Sequence, residues 1–174
     1  DAGTQERMNR MIAGEARGYV DYFEPDPGDP YYFPVINVSG SALIKKDLLH
    51  LQLEIDEYWL GAAHPAYYWS NIYVNIRNGA AYTLDDLFKS PEEARTRLSE
   101  IVTEAMRENP GPYYEDSVGP DQIQFFCLED DGITIYFAEY EIAPHAYGLP
   151  KFYIPFSEIM DLIDTEGDFW KAFN

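Results

Sequence analysis

The feature that most constrains the fold is a change in the spacing of apolar residues along the chain. Over residues 4–23, apolar side chains recur at steps of three and four, which predicts an amphipathic helix with Thr4 as its cap. Over residues 35–58 the step becomes two, and every odd position from Leu49 to Ile55 is apolar. That alternation predicts a strand with one buried and one solvent-facing side. The chain must therefore combine helices with sheet.

Further strands are predicted from the same alternation and from turn residues. The additional predicted strands cover residues 33–44, 72–76, 123–128 and 133–137. Gly40 indicates a bulge or bend in the first of them. The pairs Asn78-Gly79 and Asp131-Gly132 are typical of tight turns between antiparallel strands. The proline-rich stretch at residues 24–30 predicts a loop between the first helix and the first strand.

Cap residues predict where helices begin in the second half of the chain. Thr83, followed three positions later by Asp86, predicts a short capped turn. Ser90 precedes Pro91 and is followed by Glu93 at the third helical position, the pattern of a capping box with proline at the first position. The apolar face of this central helix extends until the stretch NPGP ends it.

Residues 140–159, YEIAPHAYGLPKFYIPFSEI, hold prolines, glycine, aromatics and a histidine between strand and helix signals. The structural interpretation is a strand that bends at its prolines and at Gly148 and runs on through KFYIPF to Pro155, followed by a helix that Ser157 caps. The functional alternative is a binding rim, formed by residues 145–150 together with the His64-Pro65 turn. A short aromatic helix is predicted at the end of the chain.

These elements predict an α+β fold of antiparallel strands, with a long N-terminal helix, a central capped helix and short C-terminal helices. At 174 residues the chain fits one domain. Its N-terminal helix and first strands occupy residues 1–80, and the central helix and second set of strands occupy residues 81–174. Two interleaved lobes fit the same pattern.

Charge and cysteine content restrict the function. The chain carries 31 acidic and 12 basic residues, a formal net charge of −19, which disfavours nucleic acid and favours cations or a basic protein. The single cysteine, Cys127, rules out an internal disulfide. Its position in step with Ile123 and Phe125 predicts a small buried side chain. No apolar run is long enough for a membrane span or secretory segment, so we expect that any signal or anchor has been removed.

No catalytic or metal motif emerges from the spacing of reactive residues. The histidines at 50, 64 and 145 stand far apart, and no zinc, serine-hydrolase or phosphate-loop pattern is present. We therefore predict no catalytic residue, no metal and no cofactor. The pairs Glu54/Asp56 and Glu139/Glu141 fit either a solvated strand face or carboxylates that chelate calcium. Glycoside chemistry would need two such carboxylates across a cleft. Tyr and Trp clusters fit strand propensity or a binding surface equally well.

An ordered set of residues resembles a known family. The matching positions are Gly61, His64, Pro65, Gly79, Thr83, Leu84, Leu87, Phe88, Tyr140, Glu141, Ile142, Ala143, Pro144, Gly148, Ile154 and Pro155. This set, within residues 35–163, resembles the RsiV-type extracytoplasmic sensor domain family, domain of unknown function 3298. The chain departs from the usual Gly-Gly before His-Pro, because Ala62-Ala63 stands there.

The resemblance implies an extracytoplasmic bacterial binding or sensor domain without established catalytic residues. A lysozyme-like basic protein and a cell-wall glycan are the partners it suggests. The alternative is a peptidoglycan- or carbohydrate-active enzyme, or an accessory carbohydrate-binding module, with Glu54 or Glu141 as its carboxylate. The candidate binding residues are His64, Pro65, Tyr67, Tyr68, Trp69, Glu141, His145 and Tyr147.

Overall fold

The computed structural model describes residues 2–22, 28 and 34–174. They form two compact units, one of residues 1–81 with 172–174 and one of residues 82–171. Phe23, predicted as part of the first helix, lies outside the described residues. So does the predicted loop at 24–30, apart from Gly28, which lies in a turn. The mixture of helices with antiparallel sheets confirms the predicted α+β class.

The first unit combines one long helix with a sheet. Helix α1 covers Ala2–Tyr22, so Thr4 lies inside its first turn and the prediction of Thr4 as a cap is wrong. The sheet contains β1 (Pro34–Lys45), β2 (Leu48–Trp59), β3 (Ala66–Asn75) and β4 (Ala81–Tyr82), in that order across the sheet. Strand β2 pairs antiparallel with both β1 and β3.

Helix α1 lies over one face of this sheet. The Ser70 hydroxyl on β3 donates to Glu15 Oε1 of α1 at 2.9 Å, so α1 lies over the face that also carries Leu53 and Ile55. Those two side chains are buried, as the alternation predicts. The register from Pro34 to Lys45 is unbroken, so no bulge occurs at Gly40. A Cβ there would stand 3.0 Å from Leu53 Cδ2, which explains the glycine by close packing.

The second unit packs helices against a three-stranded antiparallel sheet. Its helices are α2 (Pro91–Glu108), α3 (Phe156–Ile159) and the start of α4 (Asp168–Phe173), and its strands are β5 (Phe125–Leu128), β6 (Gly132–Tyr136) and β7 (Lys151–Pro155). The strand order is β5-β6-β7. Short 3₁₀ turns lie at Asp85–Leu87, Pro120–Gln122 and His145–Tyr147.

Helix α2 confirms the predicted position and apolar face, but its cap differs. Ser90 is the N-cap residue and Pro91 is the first helical residue, yet no side-chain hydrogen bond caps the helix. The predicted capping box with Glu93 is therefore not formed. The preceding turn is held as predicted, because Asp86 Oδ2 accepts from both the Thr83 amide and hydroxyl at 2.7 Å.

Three local predictions in the second unit are wrong in part. Phe126 and Leu128 are buried on β5, whereas Phe125 is exposed and Cys127 is half-buried, so the predicted buried side of this strand is wrong. Residues 140–150 form turns and a 3₁₀ helix rather than a bent strand, whereas the strand predicted to end at Pro155 is confirmed as β7. Helix α3 begins at Phe156 after Pro155, which places Ser157 inside the helix and not at its cap.

No helix in the described part of the chain is both long and apolar enough to cross a membrane.

Candidate functional site

The predicted site residues of the first unit lie in a turn and in the strand that follows it. His64 and Pro65 end the turn after β2, where Gly61 has φ +92°, and His64 Nδ1 lies 2.9 Å from the Pro65 carbonyl oxygen. The three aromatics at 67–69 belong to β3. Because side chains alternate along a strand, Tyr67 and Trp69 share one face and Tyr68 lies on the other.

Tyr67 and Trp69 belong to the face of the first sheet opposite α1. This face is buried at Leu48 and Tyr73, and we call its three remaining rows, given next, the open sheet face. The register aligns three polar and aromatic rows across β1, β2 and β3, namely Asn37–Asp56–Tyr67, Ser39–Glu54–Trp69 and Ser41–Gln52–Asn71. Directly opposite side chains on such a sheet are close enough to interact. Each of the two rings therefore stands beside a carboxylate, and Glu54 and Tyr67 are exposed.

On the opposite face, Tyr68 lies near a buried carboxyl group. Glu57 is 4% exposed, and its Oε1 accepts from the Trp59 indole. Burial raises the pKa of Glu57 above its ordinary value, and a hydrogen bond from Tyr68 partly opposes this shift. Tyr68 is therefore part of a structural cluster on this face and does not contribute to the open sheet face.

The predicted site residues of the second unit lie in one braced loop, residues 138–150. Glu141 Oε2 accepts from the Ala138 amide at 2.9 Å. His145 Nδ1 lies 3.0 Å from Glu139 Oε2, whose side chain is only 6% exposed. Tyr140, with φ +64°, stacks on the His145 ring with centroids 5.9 Å apart. Glu141 thus holds the loop in shape, while Tyr140 and His145 form its surface.

Two tyrosines that the sequence did not single out complete this surface. The Tyr113 hydroxyl lies 2.9 Å from the Tyr147 hydroxyl, and the two rings meet edge to face. The Tyr114 amide donates to the Ile142 carbonyl at 2.9 Å, which joins segment 113–114 to the loop. We call the set Tyr113, Tyr114, Tyr140, His145 and Tyr147 the tyrosine surface. The signal in the sequence was the stretch GPYYED, because paired tyrosines beside acids follow the end of α2.

The tyrosine surface combines exposed rings with two exposed acids that follow Tyr114 in the chain, Glu115 and Asp116. Tyr114, Tyr140 and Tyr147 are 53%, 53% and 43% exposed. Burial and the Tyr147 hydroxyl raise the pKa of Tyr113 to about 12, so its phenol stays protonated and can donate a hydrogen bond at neutral pH. An open pocket of about 530 Å³ adjoins the surface, lined by residues 106–107, 110–111 and 113–116.

The two groups of predicted site residues belong to different units. His64, Pro65, Tyr67, Tyr68 and Trp69 lie in the first unit, and Glu141, His145 and Tyr147 lie in the second. The rim that would join residues 145–150 to the His64-Pro65 turn stays a prediction. Among the described residues, no three histidine, cysteine, aspartate or glutamate side chains converge where a metal ion could bind.

Fold and surfaces define an α+β protein with two antiparallel sheets and with exposed surfaces that are acidic and aromatic. Residues 85–157 match the family model of DUF3298, described as a protein of unknown function. This segment lies within the second unit, and the match confirms the family resemblance drawn from the sequence.

Similar proteins extend that match beyond the segment. The chain is 30% identical over 134 residues to the anti-sigma-V factor RsiV of Bacillus subtilis (strain 168), which covers 69% of this chain and 45% of that protein. The chain thus spans less than half the length of this curated relative.

Two solved structures share the fold. A DUF3298 family member from Bacteroides fragilis NCTC 9343 superposes with a TM-score of 0.62 at 21% identity, covering 98% of this chain and 66% of that one. A DUF3298 family protein from Pseudomonas aeruginosa PAO1 gives 0.59 at 17% identity, with coverage of 88% and 69%.

Proposed function

We propose that this chain is a non-enzymatic, extracytoplasmic binding and sensing domain whose partner is a strongly basic protein of the cell envelope, with lysozyme as the sharpest example. The similarity to an anti-sigma factor supports the sensing role. The observation that carries the proposal is the tyrosine surface, on which exposed rings stand beside acidic residues in a chain of net charge −19.

Both components of this surface suit a basic protein. Tyrosine rings give contact area at low entropic cost and attract arginine and lysine side chains through their faces. Acidic residues speed the encounter with a partner of opposite charge. The hydrogen bonds and ring contacts that brace residues 138–150 reduce the ordering that binding would otherwise require.

Surface plasmon resonance with immobilised lysozyme tests the proposal. We expect binding at low salt that weakens steadily between about 0.1 M and 1 M salt, where the screening length falls from about 10 Å to 3 Å. Absence of binding at low salt would overturn the proposal, and affinity independent of salt would overturn its electrostatic basis.

A pair of variants tests the location of the contact. Tyr147→Ala removes a ring of the tyrosine surface, and we expect several-fold weaker binding. Tyr153→Ala is the matched control, because Tyr153 is 50% exposed in the same unit and its hydroxyl donates to Asp131 on the β5–β6 turn. Equal losses in the two variants would argue against this surface as the contact.

The open sheet face favours a second candidate function, the binding of a cell-wall glycan. Flat aromatic side chains next to carboxylate, amide and hydroxyl groups, as in the rows that contain Tyr67 and Trp69, match the apolar faces and hydroxyl groups of sugars. Titration with chitin oligosaccharides, followed by tryptophan fluorescence, tests it. We expect a saturable change that Trp69→Ala abolishes and Trp59→Phe, on the opposite face, retains. Absence of saturation would exclude this candidate.

Product analysis after incubation with the same oligosaccharides separates a binding module from an enzyme. Glu54, which faces solvent beside Trp69, is the candidate carboxylate of the open sheet face, whereas Glu141 is tied to the Ala138 amide. Glycan cleavage or deacetylation that Glu54→Gln abolishes would support an enzyme. Binding without turnover supports the module.

A further inference from the structure

The pocket beside the tyrosine surface is built at the C-terminal end of α2. It is lined by the last turn of the helix, by the turn at residues 110–111 and by residues 113–116. Its volume of about 530 Å³ lies in the range of small-molecule sites, about 300–1,000 Å³. A side chain or a small ligand is therefore the size of occupant that it fits.

The end of the helix makes this pocket electronegative. The Ala105 carbonyl accepts the Asn109 amide at 3.0 Å, which completes the last regular bond of α2. The next carbonyl, that of Met106, would need an amide hydrogen from residue 110, and the carbonyl of Glu108 would need one from residue 112. Both of those residues are prolines and have no amide hydrogen. Carbonyl groups without helical donors, at the negative end of the helix dipole, attract cations.

Two of the charged side chains of the lining add to this negative potential, and the third opposes it. Glu115 and Asp116 are exposed acids, and Arg107, the one basic residue of the lining, lies 3.7 Å from Glu104 at its guanidinium. Tyr113 and Tyr114 contribute two aromatic rings. The ring of Tyr113 is fixed by its hydroxyl contact with Tyr147 and lies against Gly111, where a Cβ would stand 3.0 Å from ring atom Cε2.

We propose that this pocket binds a protonated alkylamine, namely a lysine side chain of the basic partner. Aromatic rings and carboxylates around one cavity are the combination that holds ammonium groups, and Met106 and Pro110 offer apolar surface to the methylene chain. An anion would meet the carbonyl end of a helix and two carboxylates, with Arg107 as the one attractive charge of the lining. The inference rests on the proposed function for the source of the amine, and a small amine probes the pocket without it.

Nuclear magnetic resonance titration of the full chain with butylammonium chloride tests the pocket. We expect saturable amide shifts confined to residues 106–116, and no such shifts with 1-butanol, which has the same chain without the charge. Tyr114→Phe keeps the ring and should retain the affinity, whereas Tyr114→Ala should weaken it about two- to fivefold. Asp116→Asn should weaken it by a similar factor.

Two further measurements define the results that would contradict the proposal. They are the butylammonium titration of a charge-matched control variant and the lysozyme binding assay. Glu92→Gln removes one exposed acid at the opposite end of α2 and should leave the butylammonium affinity unchanged. Shifts spread over the acidic surface without saturation, or equal losses in Glu92→Gln and Asp116→Asn, would overturn the pocket. If lysozyme binds equally well to Tyr114→Ala and to the unmodified chain, the pocket is not its contact and the proposed function stands. If lysozyme does not bind the unmodified chain, the proposed function fails while the amine titration still decides the pocket.

Discussion

Replacing Gly148 by alanine tests how the loop of the tyrosine surface is held. Gly148 has φ +75° and ψ −153°, a backbone region that only glycine occupies readily. A Cβ added there would meet no atom within 4 Å, so packing neither adds to nor offsets the backbone strain. We expect Gly148→Ala to lower the free energy of unfolding by about 1–3 kcal/mol, roughly a 5- to 150-fold change in the ratio of folded to unfolded chains.

The matched control is the same chemical change in a helix. Gly18 lies exposed within α1, and a Cβ there also meets no atom within 4 Å. Alanine is favoured over glycine inside a helix by about 0.5–1 kcal/mol, so Gly18→Ala should raise stability. Urea unfolding followed by circular dichroism measures both variants. If Gly148→Ala were as stable as the unmodified chain, or if both variants shifted in the same direction, the reasoning would be refuted.

Three further predictions concern the core, a buried acid and the cysteine. Gly132→Ala places a Cβ 2.5 Å from the Ile154 carbonyl oxygen, so we expect a loss of about 1–3 kcal/mol in urea unfolding; unchanged stability would show that the sheet can move apart. Burial raises the pKa of Glu57, so the unmodified chain loses stability as the pH rises through the folded-state pKa. The Glu57→Gln variant has no such group, so its stability relative to the unmodified chain should increase from about pH 4 to pH 7. A difference that stays constant over this range would contradict the prediction. Burial and Glu129 raise the pKa of Cys127 to about 11 from 9.0, so at neutral pH its thiolate fraction should be about 100-fold smaller than that of a small thiol of pKa 9.0. Because a thiolate of higher pKa is the better nucleophile, its reaction with an aromatic disulfide should be about tenfold slower, and an equal rate would count against the burial.

The regular elements were predictable because their patterns are local. The alternation from Leu49 to Ile55 and the apolar face of α2 both depend on spacing within one element. The same holds for the turn at Asn78-Gly79, where Gly79 has φ +74°. Sequence predictions failed where contact with a neighbouring strand determines which residue fits. Gly40 is a glycine because the side chain of Leu53 on β2 lies close to it, whereas the sequence pattern indicated a bulge.

The tyrosine surface was predictable only in part, for a related reason. The loop with Glu141, His145 and Tyr147 was identified from its own composition. Tyr113 joins it through a hydroxyl contact 34 positions away in sequence, and this long-range approach follows from the path of the chain after α2. The buried side of β5 was assigned wrongly because Ile123 lies outside the strand, so the alternation was counted from a residue that does not share it.

The proposed binding depends on charge attraction between this acidic chain and a basic partner. The most direct measurement compares the affinity of the chain for native lysozyme with its affinity for lysozyme whose lysines have been acetylated, at low salt in a calorimeter. Acetylation removes the lysine charges. We predict at least a tenfold loss of affinity for the acetylated protein, and equal affinity for the two forms would contradict the account.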